Sequence, residues 1–450
     1  MNCSLKSLYS TVKSKGLLSE LLKGGASSLI LKFFGLGISY LLVWYITSRF
    51  GAEIYGDYIF FISVITVLSI VLTFGVDIYA LRFSTDFIIK KKWKEAASLT
   101  VVSYRSVFIL WLITAVLLLS ASGQIASWLS LSEIVIYAII FTVLPFSLLK
   151  LTYQFFRSKK WITIYSAFQS VLIPGLTIVI ILVLLSTPLD SVPEELTPLA
   201  AYSISVLLLV IVGAGIWLKF VFKKTAPTDV LTTIKKSERF RFRRVITGAF
   251  PFLMASSIIL IGSQIDQIFI KVIDSSESLG MYMVAFKIAM VISFPLIAIN
   301  SISAPKFSEY FGVGDMKNLR TTSHYTSNLC MLISLFPFLI VMIFPAQLLS
   351  IFGEEFTAAK DVLRLLAVGQ YITSSFGSIG VLLQMTDNQK ILFKVSAGTI
   401  VLHVILLLIL LPLLGIFGAA IASVSALILR NVLLSVFAKI KLGFKPINIL

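Results

Sequence analysis

Apolar residues in this chain neither alternate nor return every third or fourth position. They run in blocks of about 20, separated by short charged stretches. Wound as helix, such a block covers the ~30 Å hydrocarbon core of a bilayer, whereas membrane strands are shorter and alternate strictly. Twelve blocks can be counted: 27–47, 58–80, 103–121, 134–154, 162–185 and 200–220, then 247–270, 280–303, 327–346, 362–384, 391–411 and 415–437. The pattern predicts an all-α, polytopic membrane protein with twelve transmembrane helices.

Charge tests the count. With twelve spans both termini share a side, and the loops opposite hold only three of the 38 Lys and Arg: Arg49, Lys271 and Lys360. The same loops hold 11 of the 21 acids. Basic residues stay on the cytoplasmic side, so both termini are expected there. The segregation also accounts for the net charge of +17. KKKWK (90–94), RSKK (157–160) and KKSERFRFRR (235–244) read as topology signals facing anionic headgroups, so no nucleic-acid partner is expected, only membrane lipids.

Composition agrees. The chain is 58% hydrophobic and 13% charged, with a mean hydropathy of +0.99, too little polar surface for a soluble protein of 450 residues. Two cysteines, Cys3 and Cys330, and two histidines, His324 and His403, are too few for a disulfide framework or a metal cluster, so no metal is expected. Residues 1–26 lack a cleavable leader pattern and read as a basic segment lying on the membrane surface.

The longest cytoplasmic loop, 221–246, divides six spans (27–220) from six (247–437), and 438–450 forms a basic tail. Glu53, Gly56 and Tyr58 recur as Glu277, Gly280 and Tyr282, each shifted by 224, in the connection between the first and second helix of each half. Arg82 falls on Lys306 with the same shift. Each half starts on the same side, so the repeats run parallel, as in transporters whose two lobes rock around a midplane site. The first of these connections, SRFGAEIYGDY (48–58), is expected at the outer face with its charges solvated, as a structural turn between helices.

Six stretches in order carry a resemblance: TSRFGAEIYGDY (47–58), FGVDIYALRF (74–83), YQFFRSKKW (153–161), LGMYMVAFKIA (279–289), IFGEEFTAAKDVLRLLA (351–367) and GIFGAAIAS (415–423). Together they resemble the Wzx-type lipid-linked oligosaccharide flippases of the multidrug/oligosaccharidyl-lipid/polysaccharide exporter superfamily. The resemblance implies two six-helix lobes around a central cavity lined by helices one, two, seven and eight. It implies as substrate an oligosaccharide repeat unit, O-antigen or capsule, on undecaprenyl diphosphate. It implies a bacterial inner-membrane location, coupling to a proton or sodium gradient with no cofactor, and a polysaccharide polymerase and chain-length regulator as partners. No GxxxxGK[ST] pattern occurs in the chain, in keeping with a gradient rather than ATP as the energy source.

An intramembrane charge costs a few kcal/mol unless it finds a partner or water, so such charges point to function. Lys32, near the start of helix one, either snorkels to the interface or faces the diphosphate, and Lys287 on helix eight shares that second reading. Asp77 and Arg82 flank the inner end of helix two, as an ion pair or interface anchors on one reading and as cavity-lining groups on the other. Asp266 lies near the outer end of helix seven at a depth comparable to Lys287, which makes an Asp266–Lys287 pair one reading, structural or coupled to an ion. His403, in mid-helix eleven, is a hydrogen-bonded imidazole or a proton relay. Pro251 and Pro295 are the expected hinges, because prolines free backbone carbonyls inside spans. Two rivals remain: a multidrug cation antiporter of the same superfamily, and a membrane polysaccharide polymerase, which would carry a longer outer loop than 186–199. Only the polymerase would be an enzyme.

Overall fold

The computed structural model describes residues 2–129, 132–186, 193–236 and 242–446, with most side chains described from Ile30 onward. The side chains of the expected interfacial segment, residues 237–241 of the central loop and 447–450 of the tail therefore lie outside the described residues. Among the described residues every regular element is helical, and the chain is a multi-pass membrane protein.

Nine helices among the described residues are long and apolar enough to cross a bilayer. Two of them are double length. Ile30–Thr73 has 44 residues and Gln389–Leu442 has 54. At 1.5 Å per residue the shorter runs ~66 Å, twice the hydrocarbon thickness, so each must break. The breaks are glycines with φ of 81° at Gly51 and 57° at Gly415. In α1 (Asn2–Thr73) the left-handed conformation at Gly51 would strain any other residue. The second predicted span, 58–80, runs past a further bend at Phe74 and Gly75 into α2 (Val76–Ile89). The seventh, 247–270, is divided between α10 (Phe242–Gly262) and α11 (Ile265–Ile273).

Six more helices separate α2 from α10: α3 (Trp93–Ser120), α4 (Ser122–Leu129), α5 (Glu133–Ser158), α6 (Ile162–Ser166), α7 (Ile173–Ser186) and α8 (Thr197–Phe222). A seventh lies in the central loop: α9 (Pro227–Lys236) forms there and packs on α3, with Lys94 Nζ 3.0 Å from Asp229. After α11 come α12 (Ser276–Met290) and α13 (Phe294–Gly312), separated by one 3-10 turn, with Pro295 in the first turn of α13. Then follow α14 (Met316–Ile343), α15 (Pro345–Ser350), α16 (Lys360–Ser375), α17 (Ile379–Met385) and α18 (Gln389–Leu442). Pro295 thus sits at a real interruption, while Pro251 lies exposed within α10.

The chain falls into two compact units, residues 1–42 with 68–254, and residues 43–67 with 255–450. In the first, α5 packs on α2, α3 and α8, and Trp217 stacks on Phe155 with ring centroids 5.2 Å apart. A second cluster joins Val76, Tyr79 and Phe87 of α2 to Val245 and Ala249 of α10. In the second unit α16 packs on α12, α14 and α18. Phe307, Leu319, Leu382, Leu383 and Leu434 fill its core.

The internal repeat has a physical counterpart inside the second unit. A Cβ at Gly56 would fall on the carbonyl of Ser276, and one at Gly280 would fall on the carbonyl of Ala52. Positions 52 and 276 are related by the same shift of 224 as 56 and 280. The contact is therefore reciprocal, built from small residues four apart on both helices, Ala52/Gly56 against Ser276/Gly280. Both helices also begin at equivalent positions. The Ala52 amide donates to Glu355 Oε1 at 2.7 Å, and Ser275 Oγ accepts from the Ser278 amide at 3.1 Å.

Two charges of SRFGAEIYGDY, Arg49 and Glu53, are exposed as expected, and Asp57 departs from the solvated turn. Lys271 Nζ lies 2.9 Å from Asp57 Oδ1, and Ser276 donates to the same oxygen at 2.6 Å. The Lys271 side chain is 10% exposed and that of Asp57 37%, so the pair clamps the fold from its rim with the cation on the buried side. Tyr55 and Tyr58 are buried.

Candidate functional site

Two polar sites stand out, one in each unit. In the first, Tyr79, Arg82 and Phe83 lie at i, i+3 and i+4 on one face of α2, and Arg244, Gly248, Pro251 and Phe252 repeat along one face of α10. These two stripes line an open pocket of ≈ 580 Å³. Its wall is aromatic: Tyr79 lies 4.4 Å from Phe83 and 6.4 Å from Phe252 between ring centroids. The Arg82 guanidinium carbon sits 5.7 Å from the Phe83 centroid, a cation–π distance that helps hold it over the pocket. Guanidinium groups present planar pairs of donors that match phosphate oxygens, so the chemistry suits a phosphorylated anion with an apolar continuation.

Of the predicted substrate cations, Arg82 lines this pocket together with the predicted hinge Pro251. Lys32 is exposed on α1 of the first unit, and Lys287 is half-buried on α12 of the second. Arg244 was hidden in the basic cluster 235–244, whose charges read as a topology signal. Its spacing of seven from Pro251, two helical turns, was the available sign that it shares a face with that residue.

Asp77 opens α2 and is 5% exposed. Its carboxylate lies 3.9 Å from Lys150 Nζ of α5, a partner that sequence reasoning passed over because Lys150 closes an otherwise apolar span.

In the second unit the break at Ser263–Gln264 places Asp266 in the first turn of α11, where unpaired backbone amides favour a carboxylate. Asp266 Oδ1 lies 2.8 Å from His403 Nε2 of α18. Oδ2 accepts from Ser423 Oγ at 2.8 Å and from the Tyr282 hydroxyl at 3.1 Å. Ser423 also lies 3.0 Å from the Tyr282 hydroxyl and 3.2 Å from His403 Nε2. Tyr282, His403 and Ser423 are buried at 0%, 8% and 5% exposure. Asp266 therefore pairs with His403, not with Lys287. The depth argument brought Asp266 and Lys287 level but could not say which face of each helix they occupy. Tyr282 had been noticed only as a repeat marker, and Ser423 not at all.

This cluster sets one carboxylate among one imidazole and two hydroxyls. The carboxylate and the imidazole share a short contact, and the two hydroxyls can each turn to donate or accept. A proton added to either group, or a small cation seated on the carboxylate, changes the charge of a water-poor site by one unit. Its members come from three helices, so the change reaches α11, α12 and α18 together. Among the described residues no group of three His, Cys, Asp or Glu has the arrangement of a metal site.

The family model described as polysaccharide biosynthesis protein matches residues 21–311, and the MatE model matches residues 251–409. Among curated proteins, the probable low-salt glycan biosynthesis flippase Agl15 of Haloferax volcanii is 26% identical over 227 residues, 49% of this chain and 48% of its own. The chain thus matches about half the length of that relative. Among solved structures, an inward-facing multidrug resistance transporter of the MATE family is similar at TM-score 0.71 and 15% identity, covering 91% of this chain and 94% of its own. The lipid II flippase MurJ in an inward closed conformation is similar at TM-score 0.68 and 15% identity, covering 92% and 87%.

Proposed function

The chain belongs to the polysaccharide biosynthesis protein family, and from that premise we propose that it flips an undecaprenyl-diphosphate-linked oligosaccharide across a bacterial inner membrane. The observation that carries the reading is the pocket between α2 and α10, where Arg82 and Arg244 converge on an aromatic wall. A diphosphate leaving water needs cations in fixed positions, and the lipid beside it needs apolar surface. The matched flippase Agl15 and the fold shared with MurJ support the same class. The substrate enters from the cytoplasmic side, where both termini lie, and the repeat unit leaves toward the polymerase and chain-length regulator.

Transport is coupled to an ion gradient through Asp266 and His403. Cation binding between α11 and α18 changes the packing of helices that also hold Tyr282, and the 3-10 interruption before Pro295 gives α12 and α13 freedom to bend. Asp77, paired with Lys150, is the corresponding buried carboxylate of the first unit. The chain does no bond chemistry of its own on this reading.

The match of residues 251–409 to the MatE model favours a second reading, export of cationic drugs. Two guanidinium groups lining the first-unit pocket oppose it, since they repel such a substrate.

The test is in cells. A strain lacking the chain accumulates the lipid-linked repeat unit on the inner leaflet, and the wild-type chain restores surface glycan. R82A/R244A at normal membrane abundance restores less than a tenth of it. Full restoration by that double variant rejects the pocket as the substrate site.

A further inference from the structure

The pocket between α2 and α10 is graded along its length. Arg82 lies two residues beyond the predicted end of the second span at 80, and Arg244 three residues before the predicted start of the seventh at 247. Both arginines are exposed and stand at headgroup level, on the side of the basic loops. Tyr79, Pro251 and Phe252 lie within those spans, at the depth of hydrocarbon. From Arg244 to Pro251 the helix climbs seven residues, ~10 Å. One end of the pocket is thus cationic and wet, and the other aromatic and apolar.

An amphiphile fits this gradient in one direction. Its anion meets the guanidiniums, and its apolar chain runs along the half-buried rings of Phe83 and Phe252 toward the bilayer. Whatever is joined to the far side of the anion then points past the arginines into water. In a glycan-bearing polyprenyl diphosphate that group is the glycan.

The lining chemistry agrees. Sugar hydroxyls donate as well as accept, so an enclosed sugar leaves bonds unmade unless acceptors surround it. Arginine carries donors and no acceptor, and the side chains of Phe, Gly and Pro carry neither. Among the described residues lining the pocket the Tyr79 hydroxyl is the one side-chain acceptor, on a residue only 7% exposed. Each guanidinium can hold one phosphoryl group through two parallel bonds, so a pair of them is matched by a diphosphate. The pocket therefore reads an isoprenoid diphosphate and leaves the sugar unread.

We propose that sugar-free polyprenyl diphosphate binds the Arg82–Arg244 pocket as tightly as the glycan-bearing lipid and regulates the chain by competing for it. This rests on the transport reading of the same pocket and adds its selectivity. Prenyl-chain elongation leaves its product as a diphosphate, so a cell that makes the carrier also makes the competitor.

The experiment measures displacement of a fluorescent glycan-bearing polyprenyl diphosphate from the full chain in detergent. The competitors are undecaprenyl diphosphate, undecaprenyl monophosphate and UDP-N-acetylglucosamine, a sugar diphosphate without the isoprenoid. Undecaprenyl diphosphate is expected to match the unlabelled glycan-bearing lipid within about threefold in affinity. The monophosphate and the sugar nucleotide are each expected to be weaker by about tenfold or more, and R82Q/R244Q is expected to weaken both diphosphate lipids by as much. A glycan-bearing lipid about tenfold tighter than the bare carrier overturns the proposal and leaves the transport reading standing. A monophosphate or sugar nucleotide as strong as the bare diphosphate also overturns it. Probe binding unchanged in R82Q/R244Q overturns the pocket, and the transport reading of it as well. If the double variant does not fold, the comparison of bare and loaded lipids on the wild type decides by itself.

Discussion

The reciprocal contact between Ala52/Gly56 and Ser276/Gly280 makes a prediction whose sign separates tertiary packing from local preference. Replacing Gly280 by Ala adds one methyl group inside a helix. Helix propensity alone predicts stabilisation, because Ala is favoured over Gly by ~0.8–1 kcal/mol in a helix interior. The structure predicts the reverse. The new Cβ would meet the carbonyl of Ala52, which is backbone and cannot rotate away. The two helices must separate, at the ~1–3 kcal/mol typical of overpacking. Separation also opens the close backbone approach, where Cα–H···O contacts contribute ~0.5–1 kcal/mol each. The gain from propensity offsets only part of this, leaving a net destabilisation of ~1–3 kcal/mol. Gly56→Ala meets the Ser276 carbonyl and should behave alike. Because either change parts the same pair of helices, the double variant should cost less than the sum. Gly398 of the same unit supplies the control. Nothing lies within 4 Å of a Cβ built there, so Gly398→Ala should be neutral or stabilising. Fluorescence-detected size-exclusion after graded heating measures all four in detergent. A midpoint for Gly280→Ala at or above that of the wild type would refute the reciprocal packing.

Three further outcomes follow from named contacts. Lys150→Ala leaves the Asp77 carboxylate buried without its cation and should destabilise by ~1–3 kcal/mol, with Asp77→Asn in the same chain recovering most of the loss in the same assay. Lys271→Ala removes the cation from Asp57 at a side chain only 10% exposed, so a loss of ~1–2 kcal/mol that persists at high salt is expected, and one abolished by salt would mark a mere surface pair. Asp315 caps α14, accepting from the Asn318 amide at 3.0 Å and its side-chain nitrogen at 2.6 Å, and these bonds hold its carboxyl below the ordinary 3.8. A depressed folded-state pKa contributes stability that is present above the ordinary value and lost as pH falls through the folded one. The stability gap between the wild type and Asp315→Ala should therefore be constant from pH 5 to 8 and close under strongly acidic conditions.

The helical architecture was legible because bilayer thickness sets block length directly, and the repeat was legible because close backbone approach restricts what can stand at positions 56 and 280. The two long breaks were legible as well, since Gly51 falls in the expected turn 48–58 and Gly415 opens the span expected at 415–437, although a glycine does not itself announce a positive φ. Asp266 and His403 could be singled out one at a time, since each is a titratable group in an apolar block. Their partnership could not, because Ser423 lies 157 positions from Asp266 and an unremarkable serine carries no signal of its own. Lys150 and Arg244 were missed for one reason. Each sits at or near a basic stretch, where the charge rule already accounts for a cation, and only the fold reveals what each one meets, Asp77 for Lys150 and the α2 pocket for Arg244.

Direct observation of flipping tests the central claim most sharply. The full chain is reconstituted into vesicles with a fluorescent undecaprenyl-diphosphate oligosaccharide, and an impermeant quencher reports how much reaches the opposite leaflet under an imposed proton or sodium gradient. The account predicts gradient-dependent transfer by the wild type, at least tenfold slower with R82A/R244A, and transfer indifferent to the gradient with D266N. Transfer no faster than in protein-free vesicles, under either gradient, would contradict it.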